Sequence, residues 1–326
     1  MSYQNKVLIR TSLTDEGVLG QRGFSYKSPD MISHSQVADP VSYFTANYGE
    51  DPNEPLDQNS ATNFVYVRAK AKEANVKGYV WLYCCGSSLF MKPSQWKQKK
   101  VYTVSGSSCA MLSPAANNGD VIVVDDPFLL NGLNTDYFCM VAITTEDKTE
   151  VLPGDFSTYD QFNYWVRTNT GVAVRNFSVL KNGIVYDFQR LDSLSNPESE
   201  PITALIEVSW KGMPAGYTVG IRCDAIPGME NSEITDGSDG SVFAAEKLPA
   251  GFDGYVETYA YNTDGESIFP ENAQITTKFY TTVTLEQMCF QFGKTVEELG
   301  INAVRKIGFT ETNKLILTGE CSTIFK

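Results

Sequence analysis

From residue 63 onward the chain alternates apolar and polar positions in short runs. In "NFVYVRAKAK", Phe64, Tyr66, Arg68, Lys70 and Lys72 share one parity, and Val65, Val67, Ala69 and Ala71 share the other. A period of two predicts a strand, with the second set on its core face. "GYVWLYCC", "KKVYTVS", "GDVIVVDDPF" and "DYFCMVAITTE" continue the pattern between turn signals. Short strands at this spacing predict an antiparallel β-sandwich over residues 56–152.

"EVLPGDFSTYD" reads as a linker, and "DQFNYWVRTNTG" as a short helix with Asp155, Ser157 or Asp160 as its N-cap. Strands then resume. Asn182-Gly183 in "NFSVLKNGIVYDFQ" is a hairpin signal. "ITALIEVSW" places Ala204, Ile206, Val208 and Trp210 on one face. "GYTVGIRCDAI" does the same with Tyr217, Val219, Ile221, Cys223 and Ala225. "GYVETYAYN" and "AQITTKFYTTVT" complete a second antiparallel sandwich over residues 153–278.

The two ends differ from this middle. Residues 1–55 are rich in Gly, Pro, Asp and Ser, which predicts an extended arm, either packed along a neighbouring domain or subunit or mobile. Near the other end, "VTLEQMCFQFG" has Leu285, Met288, Cys289 and Phe292 at helical spacing, with Thr284 and Gln287 as a capping box. Gly293 stops it. Thr295 caps a second short helix ending at Gly300, and "NKLILTGECSTIF" is a closing strand. Residues 279–326 therefore read as a small βααβ unit. The fold class is mainly β: tandem immunoglobulin-like sandwiches with an N-terminal arm and this C-terminal unit.

Composition narrows the function. The 326 residues carry a formal net charge of −13. That argues against nucleic acid, whose phosphates need a cationic face. The N-terminus shows no apolar signal-peptide core, and no apolar run is long enough to span a bilayer. Synthesis in the cytoplasm is expected, with release by lysis or a signal-less route. Seven cysteines with no CxxC read as reduced core thiols.

Candidate chemistry is sparse. The chain has one histidine, His34, in a loop-rich stretch, and lacks GxSxG, GxxxxGK[ST] and GxGxxG. That removes the common triad, phosphate-loop and dinucleotide chemistries. Asp236, Asp239, Asp264 and Glu266 cluster in "TDGSDGS" and "NTDGES". They fit either a Ca²⁺ site of hard oxygen ligands or ordinary turn hydrogen bonding. "KPSQWKQKK" sets Trp96 among Lys97, Lys99 and Lys100, either a solvated edge or a patch for an acidic partner. Tyr79, Trp81, Tyr83, Tyr255, Tyr259 and Tyr261 lie on strands, as core or as a glycan platform.

Two stretches carry family resemblances. "NFVYVRAKAKEANVKGYVWLYCC", with "LIRTSLTDEG" and "SPDM" upstream, resembles bacterial immunoglobulin-like domains of the CARDB kind over about residues 7–100. This implies a fold and no chemistry. Leu285, Phe292-Gly293, Thr295 to Leu299, Asn302 and Leu315 to Glu320 resemble a LysM module over about residues 279–324. That family binds peptidoglycan or chitin and also occurs in tail and baseplate proteins, so the resemblance makes Asn302 and Thr318 candidate glycan contacts. Thr282-Val283-Thr284 stands where the family has Gly-Asp, Thr318 stands where it has Pro, and residues 303–312 are inserted. The alternative is a cap on the second sandwich.

These readings converge on a non-enzymatic, modular binding or assembly protein of bacterial or phage origin. Its contacts would be a protein partner, its own copies, or peptidoglycan or another glycan, with no cofactor beyond the Ca²⁺ alternative. A soluble toxin or effector recognising a host glycan or membrane is a second reading. A carbohydrate-active enzyme using paired Asp and Glu is a third.

Overall fold

The computed structural model describes residues 5–19, 22–23, 26–60, 62–85, 92–131, 139–265, 267–301 and 314–326. The chain forms two compact units. The first comprises Met1–Cys85, Met91–Phe156 and Gln161–Phe177, and the second Gly86–Phe90, Ser157–Asp160 and Ser178–Lys326. Among the described residues, no helix is long and apolar enough to cross a membrane.

The first unit contains β1 (Val7–Leu8), β2 (Met31–His34), β3 (Leu56–Asp57), β4 (Asn63–Ala71), β5 (Tyr79–Cys85), β6 (Lys100–Thr103), β7 (Ala110–Met111), β8 (Val121–Val123), β9 (Phe128–Leu130), β10 (Cys139–Thr145) and β11 (Val172–Asn176). Its main sheet runs β1-β4-β9-β6-β5-β10-β11, with β2 and β8 on β4 and β7 on β5. Val65, Val67, Ala69 and Ala71 are buried as their parity requires. Tyr66 and Arg68, on the other parity, are buried as well.

The N-terminal leader explains this. It packs along the sheet, β1 pairing with β4 from Val7↔Ala71 and β2 from Met31↔Val67. Asp30, at the head of β2, accepts hydrogen bonds from the Arg10 backbone N–H at 2.7 Å, from Arg10 Nη2 at 2.6 Å and from Arg68 Nε at 2.9 Å. Arg68 also donates to the carbonyls of Pro29, Phe44, Asn47 and Glu50. A guanidinium has five donors in a fixed fork, so one arginine can close several loop carbonyls at once. The leader's irregular backbone is tied down by side-chain charge instead of by strand pairing alone. A short helix, α1 (Pro40–Ala46), interrupts it, capped by Asp39 with Pro40 in the first turn.

The second unit is a β-sandwich. Its strands are β12 (Val179–Lys181), β13 (Asp187–Ser195), β14 (Ile202–Lys211), β15 (Ala215–Arg222), β16 (Glu230–Asp236), β17 (Gly240–Leu248), β18 (Asp253–Asn262), β19 (Gln274–Val283), β20 (Lys294–Thr295) and β21 (Lys314–Phe325). One sheet has the order β13-β18-β15-β16. In the other, β17-β14-β19-β21-β12 are neighbours, with β20 on β21. Phe188 of the first sheet meets Phe325 of the second edge-on, centroids 5.5 Å apart. Ala204, Ile206, Val208 and Trp210 are buried, as are Tyr217, Val219, Ile221 and Cys223. Ala225 is exposed, because β15 has already ended at Arg222.

Two expectations need correction. Asn182-Gly183 does not join a hairpin. It redirects the chain from one sheet to the other, with Gly183 at φ 102°. β12 instead runs parallel to β21, Val179 beside Thr323. The local turn signal is genuine, but the partner of β12 is set by the closing strand.

Among the described residues, neither predicted C-terminal helix forms an α-helix. Thr284 N–H donates to Gln287 Oε1 at 2.8 Å, as a capping box should, yet only a 3₁₀ turn follows, Met288–Phe292. Leu285 is 78% exposed, so the predicted apolar stripe has little to bury against. The chain then re-enters the sheet at β20, directly after Gly293. Next, Thr295 and Glu298 form a reciprocal box, Thr295 N–H to Glu298 Oε2 at 2.8 Å and Glu298 N–H to Thr295 Oγ1 at 3.2 Å. One turn later Gly300 N–H reaches the Glu297 carbonyl and Ile301 N–H the Val296 carbonyl, with Gly300 at φ 72°. This is a Schellman close on a single turn. Ile301 is buried with Leu205, Ala245, Tyr280 and Leu315, so the turn covers the β14-β19-β21 sheet. β21 pairs with β19 from Gln274↔Ile324 to Val283↔Lys314, which makes it a strand of the sandwich itself.

Candidate functional site

The feature best built to meet a ligand is the solvent face of the β13-β18-β15-β16 sheet. Along β18, Val256, Thr258 and Ala260 are buried, so Tyr255, Glu257, Tyr259 and Tyr261 point outward. Register then fixes their neighbours, because directly paired residues share a face. Tyr259 pairs with Gln189 and Gly220, Glu257 with Leu191 and Arg222, and Tyr261 with Asp187 and Thr218. Arg222 in turn faces Glu230 on β16.

Gly220 shapes the centre. A Cβ there would lie 2.3 Å from Tyr259 Cζ and 2.4 Å from its hydroxyl oxygen. The absence of a side chain lets the ring lie down across the neighbouring strand. Tyr261 stands beside it, centroids 6.2 Å apart and planes 18° from parallel. Arg222 Nε donates to Glu257 Oε2 at 2.5 Å, and its guanidinium carbon is 5.8 Å from the Tyr259 centroid. The hydrogen bond and charge of Glu257 push the Arg222 pKa further up, so its cation is permanent. Asp187, Gln189, Arg222, Glu257, Tyr259 and Tyr261 line an open groove of about 360 Å³. Tyr255 extends the aromatic row beyond it and is 62% exposed.

The arrangement offers aromatic faces flanked by planar polar groups. Such a surface holds a ligand by stacking and by hydrogen bonds to its edges. A nucleophile poised beside a base is not part of it.

Other candidate residues lie elsewhere or turn inward. Trp96 is 1% exposed, packed against Trp165 at 5.8 Å and Tyr83 at 6.1 Å between centroids, so it cannot present a face to a partner. An aromatic flanked by lysines reads as surface, but in α2 (Pro93–Trp96) it is the apolar anchor of the turn. Lys97 and Lys99 are exposed, and Lys100 pairs with Glu150 at 3.1 Å. Thr318 is 1% exposed. It is the bulge residue of β21 opposite Phe279 and Tyr280, and its hydroxyl donates to the Phe279 carbonyl at 3.2 Å. A surface role for it is thereby corrected. Asn302 and Glu266 lie outside the described residues.

The turn carboxylates are engaged locally. Asp236 accepts from the Ser238 N–H at 2.9 Å and its hydroxyl at 2.5 Å, and these bonds lower its pKa. Asp239 accepts from Gly212 N–H, and Asp264 from Ser267 N–H. Among the described residues, no three His, Cys, Asp or Glu side chains gather as a metal cluster.

Arg222, Glu257, Asp187, Gln189 and Gly220 were not singled out from the sequence. Their signal is the cross-strand register, which a single strand does not contain.

No protein-family model matches the chain. No curated protein matches it either. Among solved structures the chain is similar to CBD12 from CALX1.2, at 7% identity and TM-score 0.18, over 83% of this chain and 96% of that one. It is similar to the BSP domain of a biofilm associated protein, at 8% identity and TM-score 0.23, over 83% of this chain and 57% of that one. It is also similar to the CupB6 tip adhesin from Pseudomonas aeruginosa, at 7% identity and TM-score 0.18, over 83% and 92%.

Proposed function

We propose that the chain is a non-enzymatic binding protein whose second unit recognises carbohydrate on the outer face of the β13-β18-β15-β16 sheet. One observation carries this reading: Tyr259 is laid over Gly220 beside Tyr261, inside a groove whose edges are Asp187, Gln189, Arg222 and Glu257. A tyrosine row on a rigid sheet costs little ordering entropy on binding, since each ring has two rotatable side-chain bonds. Sugars present apolar C–H faces and hydroxyl edges, which match rings and carboxylate or amide groups respectively. The segment resembling LysM is assigned no ligand here, because its described residues cover a sheet of the same unit.

The test is retention on immobilised glycans, with chitin, peptidoglycan and neutral plant polysaccharides as the panel. Retention by the intact chain is expected, with clear loss for Tyr259→Ala. If no glycan retains the protein, or if the variant is retained equally, the reading is wrong.

A further inference from the structure

Resting on that carbohydrate reading, we infer that the groove takes uncharged sugars and rejects carboxylated or sulfated ones, with the Arg222–Glu257 pair as the discriminating element. The outward positions of the four strands carry Asp187 on β13, Asp253 and Glu257 on β18 and Glu230 on β16. Among the described residues of this face, the cation is Arg222. It is already committed to Glu257, at 2.5 Å across directly paired positions.

An anion entering beside Tyr259 therefore meets Asp187 at the rim, and the guanidinium that could hold it is already balanced by Glu257. A recognition site for acidic sugars needs the reverse, an arginine whose charge no neighbouring carboxylate already balances. An uncharged sugar meets no such opposition. Gln189, paired with Tyr259, and Asp187, paired with Tyr261, offer polar groups at the rim without requiring a charge on the ligand. Discrimination of this kind works through an introduced repulsion as much as through attraction.

The experiment uses the full chain and three probe pairs. Chito-, cello- and galacto-oligosaccharides are each compared with the same oligomer after oxidation of a fraction of its primary hydroxyls to carboxylates. Titration calorimetry at low salt should show at least about fivefold weaker binding of the oxidised member, from unit charges within several ångström. The gap should shrink in about 1 M salt, where screening acts over about 3 Å. Glu257→Gln, which removes the carboxylate charge that balances Arg222, and Asp187→Asn, which removes a rim charge at an exposed position, should each narrow it. Equal or tighter binding of the oxidised oligomers to the unaltered chain would overturn the inference and leave the carbohydrate reading standing. So would a gap that neither variant changes. Absence of binding to every oligomer would instead remove the carbohydrate reading itself.

Discussion

The far end of the Tyr259 ring occupies the space that a side chain at residue 220 would need. Gly220 thus shapes the proposed site although it has nothing to offer a ligand. Gly220→Ala must push the ring off the sheet, because the clash is with the ring itself. The ring is on the outer face and free to swing outward, so the stability cost should stay below about 1–3 kcal/mol. Glycan retention should fall about as far as in Tyr259→Ala, for which an aromatic that the ligand covers suggests about 2 kcal/mol. Unfolding midpoints and retention measured together check this. Retention unchanged by Gly220→Ala would mean that the flat ring is not what the ligand reads.

The interior of the same sandwich contains an ion pair. Arg190 Nε lies 3.0 Å from Asp192 Oδ2, and the side chains are 4% and 1% exposed. Arg190 also donates to Thr323 Oγ1, Thr277 Oγ1 and the Cys321 carbonyl, which bridges β13 to β19 and β21. Arg190→Met should destabilise the unit by about 3–5 kcal/mol, since it strips a buried carboxylate of its guanidinium. Replacing both residues with apolar ones of similar volume should recover much of that loss. Urea denaturation of the single and double variants measures the difference. Equal losses in both would show that the threonine contacts, not the charge pair, hold the seam.

Acid should weaken the leader of the other unit. Burial alone would raise the Asp15 pKa, but the Arg22 charge and the N–H groups of Thr11 and Gly17 outweigh it and hold the value below its ordinary 3.8. A carboxylate depressed on folding contributes stability above its unfolded pKa and loses it as pH falls through the folded one. Stability should therefore fall as pH drops below about 3.9. In Asp15→Asn that part of the slope should be missing, with lower stability at neutral pH. Chemical denaturation at stepped pH gives both. An unchanged acid limb in the variant would assign the loss to other carboxylates.

How far the sequence reaches is visible in particular residues. Alternation placed Val65, Val67, Ala69 and Ala71 in a core and Ala204, Ile206, Val208 and Trp210 in another, because a strand's own period is local information. Arg68 breaks the pattern of its strand, since what buries it is a leader whose composition allows packing or mobility alike and does not say which strand it would cover. The Asn182-Gly183 turn was legible as a turn, but not the parallel pairing of β12 with β21, more than a hundred residues away. The site behaves likewise. Tyr255 and Tyr259 could be picked from their strand, whereas Gly220 and Arg222 matter only through a register that no local pattern encodes.

The C-terminal turn gives the sharpest contrast between cap and helix. Thr295, Glu298 and Gly300 supply both ends of a helix, yet one turn separates them. Its persistence must come from packing, because a lone turn is not self-supporting. Ile301 is 5% exposed and sits with Leu205, Tyr280 and Leu315 against the sheet. Ile301→Ala should cost about 2–5 kcal/mol, as large-to-small core changes do. Gly300→Ala should cost about 1–2 kcal/mol, the penalty for a Cβ in the left-handed region. If the turn were held by its caps alone, Thr295→Ala would rival Ile301→Ala, whereas an exposed cap is worth about 1 kcal/mol. Thermal unfolding of the three variants orders them. A Thr295→Ala loss equal to that of Ile301→Ala would move the stabilising role from the apolar contact to the cap.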